Sequence, residues 1–214
     1  LLNGYGITEC SPLVSVNRKC LNDSSTVGVI LPCCEVKLEN DVAFYLEVSD
    51  INYHKGLPLA LSITDKNNTY YIKKSLIKDA FKLLEGKTVS TYDLKKSLVV
   101  CKMDIKCGFD LMVGAYLVDL PASEDIYQLM NACGEQCLTF EALRRKEFEG
   151  IENEVTLKSR FIYEYTNKVK DKVKMDKQDD ILNKIEMPLI YVLADMEKSG
   201  FKFESQTLDI MKEE

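Results

Sequence analysis

Two short segments of this chain carry residue types that could support chemistry. In the first, Tyr5 and Gly6 are followed closely by Thr8 and Glu9. A hydroxyl donor next to a hard carboxylate suits a phosphate group and its Mg²⁺ ion, because phosphate oxygens accept hydrogen bonds and Mg²⁺ prefers oxygen ligands. The segment is therefore a candidate phosphate and metal contact.

The second segment is an apolar run over residues 42–48 that contains Tyr45 and Glu47. Alternate side chains of a strand point to the same face, so these two residues would face one site. Asp93 follows a later β-rich run, and Phe148 and Glu152 are spaced by one helical turn. Among these residues Glu47, Asp93 and Glu152 carry carboxylates, and a site that binds two metal ions would need them to converge.

The pattern of β-formers and turn residues predicts strands over residues 42–48, 58–64 and 69–72 in an antiparallel arrangement, with a further strand over 88–91. Apolar periodicity predicts helices over about 76–84, 92–103, 109–120, 123–133, from 139, 155–173 and 182–199. Ser123 and Thr139 are predicted N-caps, Asp110 caps or pairs at the start of a buried helix, and Gly200 ends the helix before it. The order of elements predicts an α/β or α+β protein.

Composition excludes several classes of protein. Lys and Arg number 28 and Asp and Glu 34, a net charge of -6, which argues against a dedicated nucleic-acid module with a basic face. No apolar run approaches the roughly 18 residues of a membrane span, and no signal peptide is recognisable, so we expect a cytoplasmic, monomeric protein without a membrane partner. The absence of an initiator Met predicts a piece of something longer.

The eight cysteines lack the spacing of a zinc site, which needs two short Cys/His pairs. Only Cys133 and Cys137 form a close pair, and His54 is the single histidine. A disulfide-stapled secreted domain would be shorter and richer in turns. We therefore predict reduced, structural cysteines, and we interpret His54 as a surface turn residue.

The first forty residues resemble a fatty acyl-CoA ligase of the adenylate-forming family. The resemblance rests on GYGITECSP at residues 4–12, STVG at 25–28, LP at 31–32 and EVKL at 35–38. It implies that Thr8 contacts the phosphate of the acyl-adenylate and that Glu9 helps to hold Mg²⁺. The phosphate loop, the ribose-binding Asp and the catalytic Lys of that family have no counterpart here, so we expect residues 1–40 to pack poorly and not to bind ATP.

The remainder resembles bacterial DNA polymerase I. The segment EMPL at residues 186–189, continued by VLADMEKSG at 192–200, resembles the start of the polymerase domain. Earlier motifs resemble the proofreading domain: NYH at residues 52–54, YDLKK at 92–96 and the segment from FD at 109–110 to AYL at 115–117. The resemblance implies a ribonuclease H-like mixed sheet with flanking helices over residues 41–178, followed by helices of the polymerase domain over 179–214.

That domain type is a 3′-5′ exonuclease, which uses four carboxylates to hold two metal ions. The resemblance places the first carboxylate pair at Tyr45 and Glu47, where a neutral phenol replaces one ligand. It suggests Asp93 for the middle carboxylate, and it places the final Y-x-x-x-D motif at Phe148 and Glu152, without the tyrosine. We therefore predict vestigial positions, no catalytic residue, and no resident cofactor where the parent families use Mg²⁺.

The expected function is that of a DNA polymerase I fragment with an inactive exonuclease-like domain acting as a structural platform, with DNA as the partner of the parent polymerase. The N-terminal segment looks foreign, which predicts a chimeric chain. Two alternatives remain open, a fragment of an acyl-CoA ligase and a non-enzymatic interaction module.

Overall fold

The computed structural model describes residues 38–200, together with the backbone of three short strands nearer the N-terminus. The chain divides into two compact units, residues 1–38 and residues 39–214. Within the described part of the chain, no helix is both long enough and apolar enough to cross a membrane.

The first unit contains a small antiparallel sheet of strands β1 (Gly4–Tyr5), β2 (Ser15–Val16) and β3 (Val29–Ile30), in that order. The side chains of Tyr5, Gly6, Thr8 and Glu9 lie outside the described residues. The expected poor packing of residues 1–40 therefore stays a prediction.

The second unit is built on a mixed five-stranded sheet with the order β6-β5-β4-β7-β8. The strands are β4 (Asp41–Val48), β5 (Pro58–Thr64), β6 (Thr69–Lys73), β7 (Thr88–Thr91) and β8 (Phe109–Asp110). Strands β4, β5 and β6 pair antiparallel, whereas β7 is parallel to β4 and to β8. The predicted α/β class with an antiparallel meander is confirmed.

Eight helices accompany this sheet among the described residues: α1 (Ile77–Lys82), α2 (Leu94–Cys101), α3 (Leu111–Leu117), α4 (Tyr127–Ala132), α5 (Phe140–Arg145), α6 (Ile151–Met175), α7 (Asp179–Ile181) and α8 (Met187–Ser199). A 3-10 turn (Lys74–Leu76) precedes α1, and a π-helical turn (Leu182–Glu186) joins α7 to α8. Pro188 lies in the first turn of α8, where a missing N–H is tolerated, and Gly200 follows the helix as predicted.

Two of the three predicted caps are confirmed. Thr139 accepts a hydrogen bond from the backbone N–H of Ala142, and Asp110 accepts one from Met112. The prediction for Ser123 is wrong: α4 begins only at Tyr127, and the Ser123 hydroxyl donates to a backbone carbonyl instead. The predicted helix over 109–120 is shorter than expected, because its first two residues join the sheet.

Strand β4 is buried on both faces except at its first residue, and the two faces differ in character. One face carries Phe44 and Leu46, and the Phe44 ring meets Phe81 of α1 edge-on with ring centroids 5.3 Å apart. The opposite face carries Tyr45 and Glu47, whose partners on β5 are the small residues Ser62 and Ala60. Small neighbours leave room for a helix to approach closely.

Helix α6 fills that room. Its Ser159 hydroxyl lies 2.7 Å from the Ser62 hydroxyl and 2.8 Å from the Thr64 hydroxyl, both on β5. Because these hydroxyls are buried, each needs a partner, and the shared network satisfies them. The network therefore fixes the position of α6 over the sheet.

Helix α3 packs against α6 through Gly114. A Cβ atom built at Gly114 would meet the ring of Phe109 at 2.4 Å and Val169 of α6 at 3.1 Å. We predict that Gly114→Ala lowers the free energy of unfolding by about 1–3 kcal/mol through overpacking, although alanine is normally the better helix former. Gly108→Ala is the matched control, because its Cβ would lie 3.6 Å from its nearest neighbour, an ordinary contact. Urea unfolding measures both, and a stabilised Gly114→Ala variant would contradict the packing argument.

Candidate functional site

The two residues predicted to share a face, Tyr45 and Glu47, lie side by side in the interior. Their exposed fractions are 3% and 2%. Burial raises the pKa of Tyr45 above its ordinary value, with the negative charge of Glu47 acting in the same direction, so the phenol is neutral. The pair therefore presents one carboxylate and one neutral ring to whatever lies above this face of the sheet.

The group above Glu47 is an ammonium ion. Lys158 of α6 donates from Nζ to Oε2 of Glu47 at 2.8 Å, and its side chain is 1% exposed. Burial works against the charged form of Lys158, but its acidic neighbours, including Glu47, outweigh that effect and hold its pKa above the ordinary value. The result is a buried ion pair between Lys158 and Glu47.

A second lysine lies beside Tyr45. The Nζ atoms of Lys96 and Lys158 are 5.5 Å and 5.0 Å from the Tyr45 ring centroid, within the range of cation–π attraction. Lys96 Nζ also lies 3.8 Å from Oδ2 of Asp93, and both side chains are buried. Each of the carboxylates Glu47 and Asp93 thus has its own internal lysine.

Asp93 also shapes the backbone. It adopts a left-handed conformation with φ of 59°, which Asp tolerates better than most residues, and its side chain caps α2 by accepting from the backbone N–H of Lys96. The backbone N–H groups of Asp93 and Leu94 donate in turn to Asp110, at 3.1 and 2.7 Å. Asp93 therefore sits in the site as a cap, close to a second buried carboxylate.

The remaining acidic side chains near the site are held by backbone groups. Asp110 accepts from three N–H groups, those of Asp93, Leu94 and Met112. Asp125 accepts from the N–H groups of Tyr127 and Phe140. These carboxylates organise loops and helix starts, and their lone pairs are directed at the chain itself.

The space between these groups is small. A cavity of about 20 Å³ lies between Tyr45, Glu47, Asp93, Lys96 and Asp125. That volume admits about one water molecule. Among the described residues, no three His, Cys, Asp or Glu side chains come together in a way that could hold a metal ion.

The structure does not bring the other two predicted positions to this cavity. Glu152 is exposed in the first turn of α6, and Phe148 packs against Phe140 with ring centroids 6.2 Å apart. The residue of α6 that meets Glu47 is Lys158, six positions after Glu152. The assignment of Phe148 and Glu152 as vestigial exonuclease positions therefore stays a prediction.

Lys158 and Lys96 are the site residues that the sequence reasoning missed. A signal for Lys158 was present, because it follows Val155 by three positions and precedes Ile162 by four, which places it on the apolar stripe of α6. A lysine on a buried stripe needs an anionic partner. Glu47, the charged residue of a buried strand, was the available candidate.

A polar cluster joins the segment predicted to begin the polymerase part to this domain. Glu197 of α8 accepts from Tyr53 Oη and from Lys95 Nζ, both at 2.7 Å, and lies 3.6 Å from Nε2 of His54. Burial and the bond to Glu197 raise the pKa of Tyr53 to about 12. His54 is exposed, as predicted. Helix α8 is therefore fixed to α2 and to the loop after β4.

Comparison with known proteins agrees with the predicted resemblance. The family described as DNA polymerase I, ribonuclease H-like domain matches residues 44–142. The chain is 27% identical to DNA polymerase I of Bacillus caldotenax over 204 residues, which cover 84% of this chain and 23% of that protein. The resemblance of this part of the chain to DNA polymerase I is confirmed. The chain spans less than a quarter of the length of that relative.

A solved structure of another protein has a similar fold. NrnC from Brucella melitensis shares the fold with a TM-score of 0.50 and 12% identity, over 85% of this chain and 90% of that one. The ribonuclease H-like fold is thereby confirmed.

The long-chain-fatty-acid–CoA ligase of Salmonella typhimurium is 50% identical over 42 residues, which are 19% of this chain and 8% of the ligase. The ligase resemblance is real but short.

The Glu47–Lys158 pair makes a strong prediction for stability. Lys158→Met should lower the free energy of unfolding by about 3–5 kcal/mol, because it leaves a carboxylate unpaired in the interior. Adding Glu47→Gln to the same chain should recover most of that loss, since no uncompensated charge then remains. Urea unfolding of the two variants and the parent measures the coupling. Equal losses in the single and double variants would show that the pair is not coupled.

Asp110 predicts a pH dependence of stability. Burial, reinforced by Asp93, raises its pKa to about 6. The folded state then keeps a proton that the unfolded state releases from about pH 4 upward, so this group's contribution to stability falls as the pH rises from about 4 to 6. Relative to Asp110→Asn, the parent should lose about 2–3 kcal/mol across that window. Urea unfolding at several pH values gives the difference, and a flat difference would mean that the three N–H donors outweigh burial.

Proposed function

We propose that residues 41–178, part of which match the ribonuclease H-like domain of DNA polymerase I, form a proofreading-exonuclease-like domain that no longer hydrolyses DNA. In this proposal the domain serves as a structural platform for the helical segment that follows it. DNA would be the substrate of a polymerase of which this chain represents a part, and the chain itself would act in replication and repair only through that larger protein.

The observation that carries the proposal is the buried Glu47–Lys158 ion pair. Hydrolysis by two metal ions needs several carboxylates free to bind them, so that the ions can activate water and stabilise the leaving oxygen. Here the ammonium of Lys158 lies 2.8 Å from Glu47, and Tyr45 supplies a neutral ring beside it. The residues present do not fit a two-metal centre, because fixed positive charge already neutralises the carboxylates that would bind the metals.

The surroundings of the pair support the same conclusion. Asp93 caps α2 and faces Lys96, while Asp110 and Asp125 accept backbone N–H groups. A divalent ion would have to displace these partners and then find room in a cavity of about 20 Å³. Mg²⁺ keeps several of its waters when bound, so the space is too small for it.

The platform role is supported by the attachment of α8. Glu197 is held by Tyr53 and Lys95, and the Tyr191 hydroxyl accepts from the backbone N–H of Cys107 at 2.9 Å. Ala194, between them on the same helix, is fully buried. A helix held at several points can transmit a fixed orientation to the chain that continues from it.

The ligase-like segment does not favour a second function. Its match covers 8% of the ligase. One Thr and one Glu leave the adenine, the ribose and the other phosphates of ATP without partners, so we propose that Thr8 and Glu9 form no adenylate site.

The test is degradation of a 5′-labelled single-stranded oligonucleotide with Mg²⁺ or Mn²⁺. We expect no shortening by the parent chain and no rescue by Tyr45→Asp, because the new carboxylate would lie beside the Lys158 ammonium and pair with it. The readout is the ladder of shortened products on a denaturing gel.

A proofreading-competent DNA polymerase I under the same conditions is the positive control for the assay. Glu47→Ala is the control for contamination by another nuclease, since shortening that survives this substitution does not come from the site. Metal-dependent 3′-5′ shortening by the parent chain that Glu47→Ala abolishes would overturn the proposal.

A further inference from the structure

An open cleft lies away from the candidate site. It has a volume of about 570 Å³ and lies between two elements, the segment over residues 75–82 and the carboxyl end of α2. Ser75, Lys78 and Lys82 line one wall, and Lys102 lies on the other. The three lysines are exposed, so their ammonium groups are accessible to a ligand.

The charges on these walls do not balance. Lys82 pairs with Asp79 at 2.7 Å, and Asp79 is the acidic residue of the lining. Lys78 and Lys102 have no ion pair with any residue in the described part of the chain. The cleft therefore carries an excess of positive charge on a chain whose net charge is -6. Such a local excess favours an anionic partner.

Lys102 compensates a local feature that would otherwise repel an anion. It is the C-cap of α2, in a left-handed conformation with φ of 51°. The carboxyl end of a helix carries partial negative charge, and a cation there offsets it. The other wall contributes Lys78, so an anion in the cleft would meet ammonium groups from two separate elements.

The floor of the cleft is apolar. Val100, Cys101 and Met103 line it, and no aromatic residue does. Burial raises the pKa of the Cys101 thiol to about 12, so this cysteine acts as an apolar group and not as a nucleophile. Without aromatic rings the cleft lacks the platform on which bases stack in sequence-tolerant single-strand binding. Contacts to phosphates, with sugars or bases against the apolar floor, are what this lining allows.

We propose that this cleft contacts the sugar–phosphate backbone of single-stranded DNA, with Lys78 and Lys102 on successive phosphates. This proposal rests on the proposed function in one respect only, the choice of DNA as the nucleic acid. A strand fits better than a free phosphate, because Lys78 and Lys102 belong to separate elements, α1 and the carboxyl end of α2, and a strand can offer a phosphate to each. A single strand fits better than a duplex, because it leaves apolar sugar and base surfaces free to meet Val100 and Met103.

The experiment measures fluorescence anisotropy of a labelled 20-nucleotide single strand at several salt concentrations. We expect saturable binding by the parent chain at low salt that weakens as salt rises, with a slope of about -0.7 in log K against log salt for each phosphate contact. The variant Lys78→Glu/Lys102→Glu should bind at least ten-fold more weakly and show a slope shallower by about 1.4, the equivalent of two contacts.

Lys66→Glu/Lys146→Glu is the matched control. Both lysines are exposed, neither lines the cleft, and the substitution changes the net charge by the same amount. We expect less than a three-fold change in affinity. Urea unfolding of both variants checks that the fold is intact, which the exposure of all four lysines favours.

Several outcomes would overturn the proposal. They are the absence of saturable binding, equal weakening by the two double variants, and tighter binding of a duplex of the same sequence. Competition by inorganic phosphate or a deoxynucleoside monophosphate at equal phosphate concentration would assign the cleft to free phosphate esters instead. The nuclease assay is independent of this binding test. If the chain binds DNA without hydrolysing it, or neither binds nor hydrolyses it, the proposed loss of catalysis is unaffected.

Discussion

The buried ion pair between Glu47 and Lys158 is the constraint on which the rest of the second unit depends. Strand β4 is buried along almost its whole length, and an unpaired carboxylate near its carboxyl end would cost about 3–5 kcal/mol. Lys158 removes that cost and thereby sets which turn of α6 lies over the strand. Ser159, the next residue, completes the register through hydroxyl contacts to Ser62 and Thr64. One electrostatic requirement thus positions the longest helix of the fold.

The same region shows how acidic side chains can serve architecture. Asp93, Asp110 and Asp125 each accept backbone N–H groups where a helix starts or a loop turns. A carboxylate used in this way holds two segments of chain together. Metal-dependent chemistry needs the opposite arrangement, in which carboxylates converge with free lone pairs on a shared space. The described geometry therefore supports the proposed loss of catalysis at this face of the sheet.

Helix α8 follows the domain in the chain and is held to it by polar contacts. Ala194 is buried on this helix, Tyr191 contacts Cys107 just before β8, and Glu197 contacts Tyr53 in the loop after β4. This loop directly follows Val48, the last residue of the strand that carries Glu47. Strand β4 and the attached helix are thus linked through a few residues, which gives the proposed platform a physical basis.

Much of the architecture followed from the sequence alone. Runs of β-branched and apolar residues bounded by turns predicted β4 to β7 within a residue or two, and Thr139 and Asp110 were found as caps, because propensity and capping act between residues close in the chain. The same local reasoning wrongly placed a cap at Ser123. It is Asp125 that accepts from the backbone N–H of Tyr127, where α4 begins. The family resemblance, and not local propensity, pointed to Glu47 and to the neutral Tyr45 beside it. What only the tertiary structure decided was the partner of Glu47, since Lys158 lies 111 positions away and no local pattern specifies which buried charges meet when a helix packs on a sheet.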